Sequence, residues 1–246
     1  MKIVVTGHLG YIGRHLMKRL PKHTIGLDIK DGNDICTCEL PDADVVIHLA
    51  AQAGVINSIV NPVETCRTNT YGTVRLWEKY KNTKFIFAST GGAIQDDQTP
   101  PYVSPYGLSK FCAEQFVKMC FTNYRILRFA NVYGDNSRSV IDAFLKTDKP
   151  VIFGDGTETR TFVHVDDLVD GILDSVNWPK GEYYFGSDQN YSLKEIADAT
   201  GKEVEYRPMR PGELKHSKLE NTTIGWKPTI NTIGYIYERI KHNNTK

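Results

Sequence analysis

The chain has 246 residues, with 30 lysines and arginines against 29 acidic residues, so its formal net charge is +1. Hydrophobic residues make up 40% and charged residues 24% of the sequence. This balance excludes a disordered chain, which is poor in apolar residues, and a nucleic-acid-binding protein, which carries an excess of basic residues. No apolar run approaches the roughly 20 residues that cross a bilayer. We therefore expect a soluble globular protein of one large domain or two small ones.

In the first half of the chain, short apolar runs alternate with amphipathic segments. The predicted strands are Ile3–Val5, Thr24–Leu27, Val45–Ile47, Phe85–Ala88 and Arg125–Phe129. The predicted helices are Tyr11–Leu20, Val63–Tyr80 and Pro105–Phe121. Strands that are apolar on both faces and alternate with helices are typical of a parallel, doubly wound α/β sheet.

After about residue 130 the chain is richer in turns, but helical spacing continues. The predicted helices in this half are Val140–Lys146, Val165–Val176, Leu193–Thr200 and Ile233–Lys241. Ser192 followed by Glu195 has the spacing of a capping box at the start of one of them. We expect this half to form a smaller α/β lobe packed against the first.

The cysteines do not form a recognisable metal site or disulfide framework. There are five, at Cys36, Cys38, Cys66, Cys112 and Cys120. One residue separates the first two, whereas paired zinc ligands are usually separated by two or more, and the chain has no His-x-x-x-His partner for them. We therefore expect no metal and a reducing compartment, the cytoplasm, in which the thiols stay unpaired.

A glycine-rich turn follows the first predicted strand and opens the first predicted helix. It reads Gly7-His8-Leu9-Gly10-Tyr11-Ile12-Gly13, and Asp28 lies at the end of the second strand. Glycines let backbone N–H groups approach a pyrophosphate, and a carboxylate at this distance accepts hydrogen bonds from the adenosine ribose. Because that carboxylate would repel a 2′-phosphate, the pattern favours NAD over NADP. The alternative is a glycine turn beside a helix-capping aspartate.

Tyr106 and Lys110 lie one turn apart on the predicted helix Pro105–Phe121, so they share a face. A free phenol has a pKa of about 10, but a nearby ammonium and a positive nicotinamide would both favour the phenolate. We therefore expect a lowered Tyr106 pKa and a role as acid and base. The alternative is an exposed pair without catalytic function.

Further motifs follow in order along the chain. They are Asp34-Ile35, His48-Leu49-Ala50-Ala51-Gln52, Asn69 with Gly72-Thr73, Ser89-Thr90, Arg128–Gly134, Gly154-Asp155-Gly156, Arg160–Asp167 and Arg210–Glu213. With the glycine turn and the Tyr–Lys helix, this order resembles the extended short-chain dehydrogenase/reductase family, in particular its nucleotide-sugar epimerase and dehydratase branch. The resemblance implies an NAD-binding Rossmann domain over residues 1–130, with a return segment around 161–177, and a mainly substrate-binding lobe over residues 131–246.

The same resemblance implies roles for individual residues. Those implied to bind the cofactor are Gly7, Gly10, Tyr11, Ile12, Gly13, Asp28, Asp34, Ile35, Leu49, Ala50, Ala51, Gln52, Asn69, Ser89, Tyr106, Lys110 and Phe129. Those implied to hold the substrate's diphosphate and nucleoside are Asn131, Arg160, Arg210 and Glu213. The planar donors of arginine suit phosphate oxygens, although each arginine could instead be a solvated surface charge.

The chain departs from the family where the catalytic hydroxyl is expected. The family motif usually continues to a Tyr-Gly pair, which Gln95 and Asp96 replace here. Gly91 falls where many members carry the catalytic Ser or Thr. We expect Thr90 to supply the hydroxyl, with Ser89 as second choice. A hydroxyl that only closes a turn is the alternative.

The next positions help to distinguish the possible reactions. Dehydratases of this branch carry an Asp–Glu pair where this chain has Gly92 and Ala93, neither of which can move protons. Small residues from Gly91 to Ala93 are also expected to leave room for a keto sugar to turn over.

We therefore expect an NAD-dependent epimerase that acts at C4 of a UDP-sugar or a similar donor. A dehydratase, decarboxylase or reductase of the same scaffold is the alternative, and a non-catalytic NAD-binding regulator is a third. The resemblance also implies a homodimer formed through the helices predicted at Val63–Tyr80 and Pro105–Phe121. We expect neither nucleic acid nor membrane as a partner.

Overall fold

The computed structural model describes residues 1–94, 102–187 and 189–244. The strands are β1 Ile3–Thr6, β2 Ile25–Leu27, β3 Val45–His48, β4 Lys84–Thr90, β5 Tyr124–Phe129, β6 Asn131–Tyr133, β7 Val151–Phe153, β8 Thr159–His164, β9 Gly181–Phe185, β10 Asn190–Ser192, β11 Glu205–Arg207 and β12 His216–Ser217. The α-helices are α1 Tyr11–Met17, α2 Val55–Val60, α3 Pro62–Cys66, α4 Gly72–Tyr80, α5 Pro105–Cys120, α6 Val140–Lys146, α7 Val165–Ser175, α8 Leu193–Asp198 and α9 Thr232–Asn244.

The main sheet has six strands in the order β2-β1-β3-β4-β5-β9. Every neighbouring pair in it is parallel. The order reverses at β1, and in open α/β sheets ligands bind at such a switch point, beyond the carboxyl ends of the strands. This topology confirms the predicted Rossmann-type doubly wound sheet.

Helices cover both faces of this sheet, which explains why its strands carry apolar residues on both faces. Val4 points into a core shared with Leu76 of α4 and Val117 of α5. Its neighbour Val5 points into a core on the opposite face, which contains Leu168 of α7. Successive side chains of a strand alternate between faces, so both must be apolar when both faces are buried.

The predicted helix Val63–Tyr80 is interrupted. Helix α3 ends at Cys66, a π-helical turn spans Arg67–Tyr71, and α4 begins at Gly72. Asn69 lies in this turn and is fully buried. Single π-turns inside helices occur frequently at functional sites because they turn a side chain away from the regular face.

The second half of the chain forms a second set of paired strands and also adds one helix and one strand to the part that contains the main sheet. Strand β8 pairs with β6, β10 and β12, and β7 pairs with β11. These strands share a core with α6, α8 and α9 that includes Phe144, Ile196 and Ile236. By contrast, α7 contacts α1, and β9 extends the main sheet. Among the described residues, every helix is too short or too polar to cross a membrane.

Candidate active site

The glycine turn brings β1, α1 and the segment after β3 into close contact. Gly7 has φ +73°, and a Cβ there would lie 2.6 Å from the Ala50 nitrogen. A Cβ on Gly13 would lie 2.3 Å from the Gly7 oxygen, so the start of α1 packs directly on the turn. Gly10 donates its N–H to the Gly7 oxygen at 3.0 Å. These approaches require residues without side chains and leave a narrow cradle lined by backbone.

Asp28 is held against the same turn. Its Oδ2 accepts the Leu9 N–H and its Oδ1 accepts the Lys30 N–H, both at 3.0 Å. Each carboxylate oxygen has a second lone pair, so both can still accept a hydroxyl. The turn and the carboxylate therefore fit the pyrophosphate and the ribose of a dinucleotide, and Asp28 also caps the short 3₁₀ helix Ile29–Asp31, which is the alternative that the sequence left open.

The Asp34 carboxylate is bound by two groups of the protein itself, which the sequence did not indicate. Its Oδ1 accepts the Cys36 N–H at 2.9 Å, and its Oδ2 lies 2.7 Å from the Arg67 guanidinium. Burial opposes ionisation, but these hydrogen bonds and the arginine charge hold the pKa of Asp34 below its usual value. Ile35 is buried and packs against Gly72.

The Leu49–Gln52 segment is fixed at both ends. Leu49 donates its N–H to the Thr6 oxygen at 3.0 Å. Gln52 donates its N–H to Asn69 Oδ1 at 2.8 Å, and Asn69 Nδ2 donates to the Gln52 oxygen at 3.1 Å and to Ser109 Oγ at 3.0 Å. The Asn69 amide thus joins this segment to α5.

Tyr106 and Thr90 meet at the carboxyl end of β4, and Lys110 lies one turn further along α5 than Tyr106. Ser104 caps α5 by accepting the Gly107 N–H, so the first turn carries Tyr106 toward this strand end. The hydroxyl of Thr90 accepts the Gly92 N–H at 3.2 Å, which leaves its own hydrogen for the bond that it makes to the Tyr106 phenol. The structure therefore brings the predicted hydroxyl to the predicted acid and base.

Ser89, the second choice for the hydroxyl, has a different environment. Its Oγ is buried and, within the described residues, has no hydrogen-bond partner. An orphaned buried hydroxyl on this strand end can serve a ligand. Phe129, at the end of β5, is paired in register with Thr90 and packs edge-on against Phe185. Tyr11 and Ile12 are partly buried beside the same core.

In the protein by itself the pKa of Tyr106 is raised, and the expected lowering depends also on the charge of a bound nicotinamide. Burial of the hydroxyl raises the pKa of Tyr106, and the hydrogen bond from Thr90 opposes this effect. Burial also lowers the pKa of Lys110 to about 7, although the Glu114 carboxylate opposes it. The Lys110 ammonium lies 4.1 Å from the centre of the Phe87 ring. Desolvation disfavours both charged forms, which sequence spacing alone does not reveal.

A buried ion pair behind Lys110 was not predicted. Glu114 is one turn further along α5, and its carboxylate binds Arg128 of β5 through two bonds of 2.9 and 2.7 Å. Arg128 also donates to the Tyr184 hydroxyl at 3.1 Å. The signal in the sequence was an arginine inside an apolar strand, because a buried charge requires a partner. The pair fixes α5, which carries Tyr106 and Lys110, on the sheet.

Three of the four predicted substrate residues line a cavity of about 100 Å³ between the two halves of the chain. Its lining includes Gly92, Asn131, Arg160 and Glu213. Arg210 pairs with Glu213 at 2.5 Å. Burial lowers the pKa of Arg160, whereas Glu213 opposes this effect.

The room expected beside the hydroxyl is smaller than the sequence indicated. A Cβ on Gly91 would lie 2.4 Å from Leu219, so this side chain fills the space, and Ala93 is buried. Of the residues from Gly91 to Ala93, Gly92 is the one with ordinary clearance beside it, because a Cβ there would lie 3.7 Å from its nearest neighbour, an atom of Asn131. Gln95 and Asp96 lie outside the described residues.

The sequence also matches the profile of a known family over residues 3–184. The chain belongs to the NAD dependent epimerase/dehydratase family. A curated relative, the putative UDP-glucose 4-epimerase of Methanocaldococcus jannaschii, is 32% identical over 98% of this chain and 99% of its own length. Their alignment extends over 302 positions, so the 246-residue chain lacks residues at some of them.

Two solved structures of this family have closely similar folds. The UDP-glucose 4-epimerase of Thermotoga maritima, crystallised with UDP-glucose, has a TM-score of 0.83 and 28% identity and covers 100% of this chain and 99% of its own. The UDP-glucuronic acid 4-epimerase of Bacillus cereus, crystallised with UDP-glucuronic acid and NAD, has a TM-score of 0.83 and 28% identity, over 99% and 100% of the two chains.

Proposed function

We propose that this protein is an NAD-dependent epimerase that inverts C4 of a UDP-sugar through a 4-keto intermediate. The observation that carries the proposal is the hydrogen bond between the Tyr106 phenol and the Thr90 hydroxyl at the carboxyl end of β4, with Lys110 one turn further along the helix that carries Tyr106. Family membership and the UDP-sugar epimerases among the similar proteins support the same reaction.

The cofactor would lie across the switch point of the main sheet. Gly7, Gly10 and Gly13 would hold the pyrophosphate, and Asp28 the adenosine ribose. Residues 1–130, together with α7 and β9, would form the cofactor-binding part. The further residues that we assign to the cofactor are Tyr11, Ile12, Asp34, Ile35, Leu49, Ala50, Ala51, Gln52, Asn69, Ser89, Tyr106, Lys110 and Phe129.

Bound NAD would supply the one chemistry that the side chains lack, by accepting a hydride from the sugar C4 and returning it. Tyr106, as the phenolate, would take the proton of the C4 hydroxyl while that hydride leaves, so that C4 becomes a carbonyl. Thr90 would hold the C4 oxygen, and the Lys110 ammonium would stabilise the phenolate. Return of the hydride to the opposite face of C4, with the proton returning from Tyr106 to the C4 oxygen, would give the epimer.

The remaining substrate contacts would lie in the second half of the chain. Arg160 and Arg210 would pair with the diphosphate, because planar guanidinium groups suit phosphate oxygens. Asn131 and Glu213 would contact the sugar and the nucleoside. We assign most of residues 131–246 to this substrate-binding part.

Two features favour epimerisation over the alternatives. Gly92 and Ala93 offer no acid for an elimination, which needs extra proton transfers. The hydrogen bond between Tyr106 and Thr90, with Lys110 one turn along the same helix as Tyr106, argues against a non-catalytic regulator.

The direct test is incubation of the purified protein with UDP-glucose, UDP-glucuronic acid and UDP-N-acetylglucosamine, followed by NMR and mass analysis. We expect a product of unchanged mass that differs at C4. A product lighter by one water would instead show a dehydratase. Tyr106→Phe should lower kcat by about 10²- to 10⁴-fold while NAD stays bound, and full activity of this variant would refute the assignment.

A homodimer is supported by an apolar groove along α3 and α5. Its lining includes Pro62, Cys66, Leu108 and Cys112, and the exposed Met119 lies further along α5. The same face of a second copy would cover this groove. Two helices from each copy would then pack together, as the family resemblance implies. Light scattering should show a dimer that Leu108→Asp converts to a monomer. The cysteines are free thiols, which supports a cytoplasmic location.

A further inference from the structure

His48, the last residue of β3, is almost completely buried between two threonines. Its Nδ1 lies 2.6 Å from Thr6 Oγ1, and its Nε2 lies 2.9 Å from Thr73 Oγ1. The rings of Phe85 and Phe87 flank it at 5.7 and 5.6 Å between centres. The mechanism above does not use this imidazole.

The neighbours of the two threonines determine where the protons lie. Thr73 Oγ1 lies 2.7 Å from the Asn69 carbonyl oxygen, which can only accept, so the Thr73 hydrogen points there. Thr73 Oγ1 can then only accept from His48, which places a hydrogen on His48 Nε2. Thr6 Oγ1 accepts the Ala50 N–H at 3.2 Å, and its own hydrogen is available for His48 Nδ1.

A single protonation state therefore satisfies every group in this chain of hydrogen bonds. It is the neutral imidazole with hydrogen on Nε2 and a bare Nδ1. Burial first, and then the positive charge of Lys110, hold the pKa of His48 well below its ordinary value. The imidazole thus donates in one direction and accepts in the other.

The chain of bonds continues from Thr73 to the catalytic helix. Thr73 holds the backbone of Asn69, whose amide binds Gln52 and donates to Ser109 Oγ. Ser109 lies between Tyr106 and Lys110 in α5, and its hydroxyl donates to the Tyr106 carbonyl at 2.8 Å. At the other end, Thr6 holds Ala50, which packs on the glycine turn.

We propose that neutral His48 is a positioning residue that couples the Ala50–Gln52 segment beside the cofactor cradle to the catalytic helix. The polar chain through Thr6, His48, Thr73 and Asn69 would set the spacing between the cradle and Tyr106. The proposal rests on the proposed function for its effect on catalysis, but the chain of hydrogen bonds can be tested without it.

The first experiment is ¹⁵N NMR of histidine-labelled wild-type protein, with no nucleotide or substrate added. We expect a one-bond N–H coupling at His48 Nε2 and none at Nδ1, unchanged from roughly pH 5 to pH 8, where a free histidine would titrate. Hydrogen on Nδ1, or titration in this range, would overturn the proposal. This measurement needs no variant and no activity.

The second experiment compares Thr73→Val, which keeps the shape but removes the hydroxyl, with Thr73→Ser, which keeps the hydroxyl. Thr73→Val should speed amide exchange at both Ala50 and Gln52 and raise the Kd for NAD roughly 3- to 10-fold, and Thr73→Ser should rescue most of both effects. Equal behaviour of the two variants, or a loss of urea stability with unchanged exchange and NAD affinity, would refute the positioning role. Wild-type protein that passes the NMR and exchange tests but does not epimerise UDP-sugars would contradict only the proposed function.

Discussion

The buried ion pair between Glu114 and Arg128 leads to a quantitative prediction for Glu114→Gln. The two side chains are 0% and 3% exposed, and two hydrogen bonds join them. Glutamine keeps the shape but replaces one acceptor oxygen with an NH₂ group that faces the guanidinium. Breaking a buried pair by removing one partner costs about 3–5 kcal/mol. Because Arg128 keeps its bond to Tyr184, we expect the lower end, about 3 kcal/mol.

Urea titration measures this change directly. Glu114→Gln should lower the midpoint at an unchanged m-value and lower Tm by about 6–12 °C for a chain of this size. The control is Glu182→Gln, because Glu182 pairs with Lys118 of α5 at 2.8 Å but the two side chains are 33% and 27% exposed. Pairs with that exposure contribute about 1 kcal/mol or less. Equal effects of the two substitutions would refute the reasoning from burial.

Three further predictions follow from the geometry of the site. Burial lowers the pKa of Lys110 from 10.5 to about 7, so the unfolded chain binds more protons than the folded chain between these pH values. The stability that this residue contributes is therefore full above about pH 10 and is lost as the pH falls to about 7. Urea midpoints of Lys110→Met across this range should rise less with pH than those of the wild type. Gly13→Ala should abolish NAD binding in a fluorescence titration, since its Cβ would lie 2.3 Å from the Gly7 oxygen, whereas Gly92→Ala, with 3.7 Å of clearance, should leave NAD affinity unchanged. Asp28→Ser should weaken NAD binding and reduce the preference for NAD over NADP, and an unchanged ratio of the two dissociation constants would contradict the role of the carboxylate.

Local patterns predicted most of the main sheet, but one of its strands and a π-helical turn between two helices were missed. The five predicted strands are apolar runs, and each coincides with a strand of the structure to within a few residues. Strand β9 was missed because its residues Gly181–Phe185 become a strand only by pairing with β5, more than fifty positions earlier in the chain. The π-turn at Arg67–Tyr71 was missed because its residues have ordinary helical spacing.

The candidate site was predicted best where one element carries the whole pattern. Tyr106 and Lys110 share a face of one helix, and the glycines lie in one turn, so spacing was sufficient to find them. Other contacts of the site join distant parts of the chain. Thr90 contacts Tyr106, Asp34 pairs with Arg67, and Leu219 fills the space beside Gly91. No local pattern encodes such contacts.

Residue type and spacing were therefore enough to predict the parallel sheet, the candidate dinucleotide cradle and the candidate acid and base. The charge states of that acid and base depended on the tertiary structure. Burial raises the pKa of Tyr106 and lowers that of Lys110, and it places His48 between hydroxyls that select one tautomer. Spacing along a helix decides which side chains are neighbours, but the removal of water around them is a property of the whole packed molecule, and desolvation is the larger effect on a buried charge.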